Sequence, residues 1–225
     1  MGLASRTVAA AWVRAGRVQV NGRAVLDPEF PVRDGVDRVT IEGAEAGAVA
    51  RVVLMLNKPR GLVTTARDEK GRATVYQCLE GSELPWLAPI GRLDKASEGL
   101  LLFSNDPAWA ARVSDPATGP EKTYHVQIDA LPTARLLRRL EQGVEIDGER
   151  LRAKVARTLR TGARHGWLEI VLDEGRNRQI RRLLEALSVA VLRLVRVRIG
   201  SLALGELPKG QWRKLSEREI AELSA

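Results

Sequence analysis

The chain reads as an α+β protein, and three observations predict that class. Several stretches alternate apolar and polar residues with the period of a half-buried strand; Tyr124, Val126 and Ile128 fall on one side, and His125, Gln127 and Asp129 on the other. Other stretches repeat with helical spacing, such as Leu136, Leu137 and Leu140. The run Leu100-Leu101-Leu102-Phe103, closed off by Gly99 before it and Asn105-Asp106-Pro107 after it, reads as a strand buried on both faces.

Taken in order, residues 1–43 form a small module of their own. Ser5 caps a helix that runs to about Ala15, where Gly16 ends it. Arg17 to Val20, the pair Asn21-Gly22 and Arg23 to Val25 predict a hairpin with a type I′ turn, and Val36 to Gly43 supplies another strand. Residues 44–50 are small and turn-prone and read as a linker. From residue 51 to 225 the character changes. A buried strand breaks at Lys58-Pro59-Arg60-Gly61, and the stretch from Gly71 to Leu79 enters a helix. A helix starts after Asp106 with proline in its first turn. Another spans Pro132 to Gln142, and a third begins near Asn177 with Ile180, Leu183, Leu184 and Leu187 as its buried stripe. On that helix Arg181 lies at the margin of the stripe, whereas Arg178 and Arg182 lie away from it. The strand from Val191 to Ile199 puts Arg196 and Arg198 on an open face, and Ser216 with Glu219 predicts a capping box on a terminal helix.

Composition narrows the function. A net charge of +8 with 36 Lys and Arg residues suits a polyanionic partner. Cys78 is the single cysteine, so an internal disulfide is excluded and a cytoplasmic location is expected. With one cysteine and two histidines, no metal site is expected. No apolar run approaches a membrane span, and the N-terminus lacks a signal-peptide pattern.

The stretch Gly91 to Asp106 carries the chemistry. Asp94 sits with Arg92 on a short polar turn between two glycines, at the edge of a buried strand, where one acid can be aimed at a ligand. The whole stretch, with Ser97 where threonine is usual, closely resembles the signature of RNA pseudouridine synthases. So do the Lys58-Pro59-Arg60-Gly61 break, the Lys122-Thr123-Tyr124 strand and the segment Glu174 to Arg182. Residues Ser5 to Val25 resemble the alpha-L RNA-binding module, here without its usual opening helix. The resemblance covers nearly the whole chain and is to the RsuA/RluB-type branch of the bacterial ribosomal RNA enzymes.

That resemblance implies a mixed, largely antiparallel sheet flanked by helices, with a small α/β module at the N-terminus. It implies isomerisation of a uridine in ribosomal RNA, without a cofactor, by a monomer acting on ribosomal RNA or a pre-ribosomal particle. Asp94 takes the place of the essential acid, Arg181 of its ion-pair partner and Tyr124 of the aromatic residue against the base. A lone carboxylate beside C1′ or C2′ can stabilise a sugar cation, attack it or remove a proton. Arg92 becomes the wedge that fills the place of the extruded uridine, with Ile180 and Leu183 lining the pocket. Arg6, Arg14, Arg17, Arg23, Lys58, Arg176, Arg178 and Arg182 are assigned to RNA phosphates. Two alternatives stay open: a synthase acting on transfer RNA, and a non-catalytic RNA-binding or ribosome-assembly factor.

Overall fold

The computed structural model describes residues 3–33, 35–47, 49–66 and 68–224. Gly2 and Ala48, which enter the expected module and linker, lie outside the described residues. The first part holds α1 (Arg6–Arg14), β1 (Val18–Val20), β2 (Arg23–Ala24), β3 (Val39–Ile41) and β4 (Ala44–Glu45), with the strands in the order β2-β1-β3-β4. Ser5 Oγ accepts from the Val8 amide and caps α1, and Asn21 and Gly22 both take positive φ in the hairpin turn, as the type I′ turn requires. β4 reaches into the stretch expected to be linker, because Ala44 and Glu45 pair with Ile41 and Thr40.

The second part holds β5 (Val53–Lys58), β6 (Ala88–Ile90), β7 (Glu98–Ser104), α2 (Pro107–Ser114), β8 (Lys122–Ile128) and α3 (Ala134–Gln142). It continues with β9 (Val144–Ile146), β10 (Glu149–Leu151), β11 (Val155–Thr161), β12 (Gly166–Leu172) and α4 (Gln179–Ala186). β13 (Val191–Ile199), β14 (Leu202–Ala203), β15 (Trp212–Lys214) and α5 (Glu217–Glu222) complete it. The main sheet runs β11-β12-β8-β13-β7-β5-β15, with β6 beside β7 and β14 beside β13. Its pairings are antiparallel except β7 with β13, so the expected mixed, largely antiparallel sheet is present.

The core has three parts. Val126, Leu168, Ile170 and Leu194 of the sheet pack under Leu140 of α3 and Ile180, Leu183 and Leu184 of α4. Strands β5 and β7 are buried on both sides, as the unbroken apolar run predicts. Met55, Leu100 and Leu102 meet Trp109 and Ile220 of the helices, while Leu54, Leu56, Leu101 and Phe103 meet Val75 and Leu87. The segment Val75–Leu79, in the stretch expected to enter a helix, is a single 3-10 helix. At the junction of the two halves a β-carbon on Gly99, at φ +101°, would lie 2.2 Å from the Arg196 carbonyl. Only glycine lets β7 and β13 approach there.

Candidate active site

Asp94 sits on the tight connection between β6 and β7, and backbone contacts fix that loop. Lys58, the last residue of β5, is completely buried. Its ammonium donates to the carbonyls of Ser97 at 2.8 Å, Pro59 at 3.0 Å and Asp94 at 3.2 Å. The Ser97 amide returns to the Asp94 carbonyl at 2.9 Å, and Thr64 Oγ1 donates to the Leu93 carbonyl at 2.8 Å. Burial pulls the Lys58 ammonium down to about 8, against the opposing pull of the Asp94 carboxylate. The assignment of Lys58 to RNA phosphates is therefore corrected: a strand buried on both faces leaves its terminal lysine no path to solvent. The Ser97 hydroxyl is buried without a hydrogen-bond partner among the described residues.

The Asp94 carboxylate meets two guanidinium groups from the start of α4. Arg178 Nη1 lies 3.4 Å from Asp94 Oδ2, and Arg181 Nε lies 3.9 Å from the same oxygen. Arg181 also donates from Nη2 to the Ala96 carbonyl at 3.2 Å. Its side chain is 14% exposed against 50% for Arg178, so Arg181 is the inner partner and Arg178 the outer one. Burial, then the neighbouring Arg178 charge, lower the Arg181 pKa, while Asp94 opposes that shift. The expectation of Arg181 as sole partner, with Arg178 turned to phosphate, needs correction. Arg178 caps α4 in the left-handed conformation, at φ +49°, and this swings its side chain back over the loop.

Asp94, Arg181 and Tyr124 line one cleft of about 400 Å³, together with Arg92 and Ile180. Its only acid among the described residues is Asp94; the cations are Arg92, Lys122, Arg176, Arg178, Arg181 and Arg196. Leu183 does not line it. That side chain is 1% exposed and faces the sheet core, three residues along the helix from Ile180. Arg196 was read onto the open face, yet it is 5% exposed and donates from Nε to the Leu100 carbonyl at 2.7 Å. Bulges on either side of the 193–196 stretch displace the simple alternation and turn Arg196 into the cleft opposite Tyr124. Arg176, at the cleft, pairs with Glu174 and Glu149, and Arg182 pairs with Asp147 and Glu149, away from the cleft. Arg6, Arg14 and Arg23 are exposed, and Arg17 pairs with Glu42 and lies over Trp12. The sequence reading missed Lys122 and Arg196 as cleft residues; the alternation that placed Tyr124 inward also placed Lys122 inward and was the available signal.

A catalytic-sized cleft with one paired carboxylate, an aromatic neighbour and a cationic lining, set on this sheet, is the arrangement of an enzyme acting on a polyanion. The comparisons agree: the RNA pseudouridylate synthase family pattern matches residues 52–186 and the S4 domain pattern matches residues 1–37, and the chain belongs to that synthase family. Among curated relatives, the ribosomal large subunit pseudouridine synthase B of Bacillus subtilis is 34% identical, covering 100% of this chain and 92% of that protein. The protein of the same name from Pseudomonas aeruginosa is 35% identical over 100% of this chain and 59% of its own length. A solved pseudouridylate synthase crystal structure superposes with a TM-score of 0.70 at 28% identity, covering 97% of this chain and 94% of that one.

Proposed function

We propose that the protein isomerises a uridine of ribosomal RNA to pseudouridine in the cytoplasm, with Asp94 as the essential acid. The single observation that carries the assignment of roles is that Asp94, Arg181 and Tyr124, distant in sequence, line the same cleft. The relatives named for the ribosomal large subunit support ribosomal RNA over transfer RNA as substrate. The non-catalytic reading loses ground because the acid and both of its cationic partners are present.

The reaction breaks the N1–C1′ bond and forms a C5–C1′ bond. N1 gains a proton and C5 loses one, so the product is an isomer and no redox partner enters. The glycosidic bond opens toward a cationic sugar and an anionic base. Asp94 supplies the negative charge at the sugar, and Arg178 and Arg181, both paired with its Oδ2, aim the carboxylate. Tyr124 lies against the uracil ring while it turns. Arg92, exposed at the rim of the cleft, fills the gap left in the RNA stack, and Ile180 lines the wall. Arg6, Arg14, Arg17 and Arg23 contact RNA phosphates.

Pseudouridine mapping across ribosomal RNA from cells lacking the protein tests this reading. One uridine should be left unmodified, and the purified protein should convert it. An unchanged map in ribosomal RNA, with a missing site in transfer RNA, favours the alternative substrate.

A further inference from the structure

The face of the main sheet turned away from α3 and α4 carries a second feature. Along β12, Leu168 and Ile170 point into the core, so Trp167 and Glu169 point outward; on β8, Val126 and Ile128 point inward and Gln127 and His125 outward. Register sets Arg160, Trp167, Gln127 and Arg193 in one row across β11, β12, β8 and β13. The Arg160 guanidinium lies 4.8 Å from the Trp167 ring centre, and that of Arg193 lies 5.8 Å from it. Beside this row the β11–β12 turn encloses a depression of about 470 Å³, lined by Gln127, Arg160, Arg164, His165 and Trp167.

Charge on this face is unbalanced. Glu169 is taken by Arg157 and His125, and Glu98 is taken by Arg193 and Lys209. Arg160, Arg164 and Arg198 remain exposed and form no ion pair within 4.0 Å among the described residues. A half-exposed indole with guanidinium groups over its ring, planes on which bases also stack, is the combination that holds bases and neutralises phosphates. We infer that this sheet face is a second RNA-contact surface, separate from the cleft, which holds an unpaired segment of the substrate RNA across Trp167. The inference rests on the proposed action on RNA.

The test compares the full-length protein with Arg160→Gln/Arg164→Gln/Arg198→Gln and with Trp167→Leu, after thermal melts show both variants folded. Binding is measured against bulk ribosomal RNA and against a uridine oligomer of about twelve nucleotides, a length within the range that such platforms cover. The triple variant should bind ribosomal RNA about tenfold more weakly at moderate salt, with the slope of log affinity against log salt reduced by about 2. Trp167→Leu should weaken oligomer binding about tenfold with an unchanged slope, and both variants should keep wild-type kcat at saturating RNA. Wild-type affinity and slope in both variants, alongside steep salt dependence in the parent, overturn this surface and leave the enzymatic reading standing. If the parent itself does not bind RNA, both fall.

Discussion

At the scale of single residues, Asp94 is aimed by its backbone as much as by its ion pairs. Lys58 donates to three carbonyls that flank or belong to the loop, and a methionine of similar length would leave them all without that donor. Lys58→Met should therefore destabilise the fold by about 3 kcal/mol in urea denaturation and lower kcat far more than it changes KM. The ammonium titrates near 8 when folded, below its ordinary value of 10.5. The folded state thus releases this proton first, and the stability difference between parent and Lys58→Met should grow as pH rises from about 8 toward 10.5. In that window the neutral amine has two N–H donors for three carbonyls, so kcat should decline. A flat kcat through that range, or a shrinking stability difference, contradicts the role. The two guanidinium partners should also separate. Arg181→Ala should lower both activity and melting temperature, because a half-buried acid loses its inner partner. Arg178→Ala should lower activity with a melting temperature close to the parent. The sequence placed the acid, the phenol and the inner arginine, since each stands in a recognisable motif. Lys58 and Arg178 eluded it because their directions depend on burial at a strand end and on one left-handed residue.

At the scale of elements, the crossing of β7 and β13 joins the two halves of the sheet and sets the cleft between them. Gly99→Ala would drive a β-carbon into the Arg196 carbonyl, a backbone atom that cannot rotate aside. The expected loss is about 3 kcal/mol or more, read as a lower urea midpoint, and near-parent stability would show that the strands do not cross this tightly. Element ends were the legible part of the fold. Ser5, Asp106 with Pro107, and Ser216 with Glu219 cap α1, α2 and α5 in the structure as their sequence patterns predict. The bulges in β13 were not legible, because an alternating run of Arg, Leu and Val looks the same whether or not an extra residue is inserted. That insertion exchanges the faces of Arg193 and Arg196, and with them one residue of the outer surface and one of the cleft.

At the scale of the whole molecule, charge and topology point to one partner. No helix among the described residues is long and apolar enough to cross a membrane. The excess of arginine falls on exposed positions of α1 and β2, on the cleft and on the outer sheet face. Arg6→Gln/Arg14→Gln/Arg23→Gln should weaken RNA binding and reduce its salt slope by about 2 to 3, with kcat at saturation unchanged; an unaltered slope would remove the N-terminal module from the RNA interface. The central claim is that one acid, Asp94, turns over a uridine in a cleft built by distant segments. Its most direct test is single-turnover release of tritium from C5-labelled uridine in ribosomal RNA by the parent and by Asp94→Asn. The parent should release the label at the modified position, and Asp94→Asn should bind the RNA with near-parent affinity and release none. Substantial release by Asp94→Asn would contradict the account.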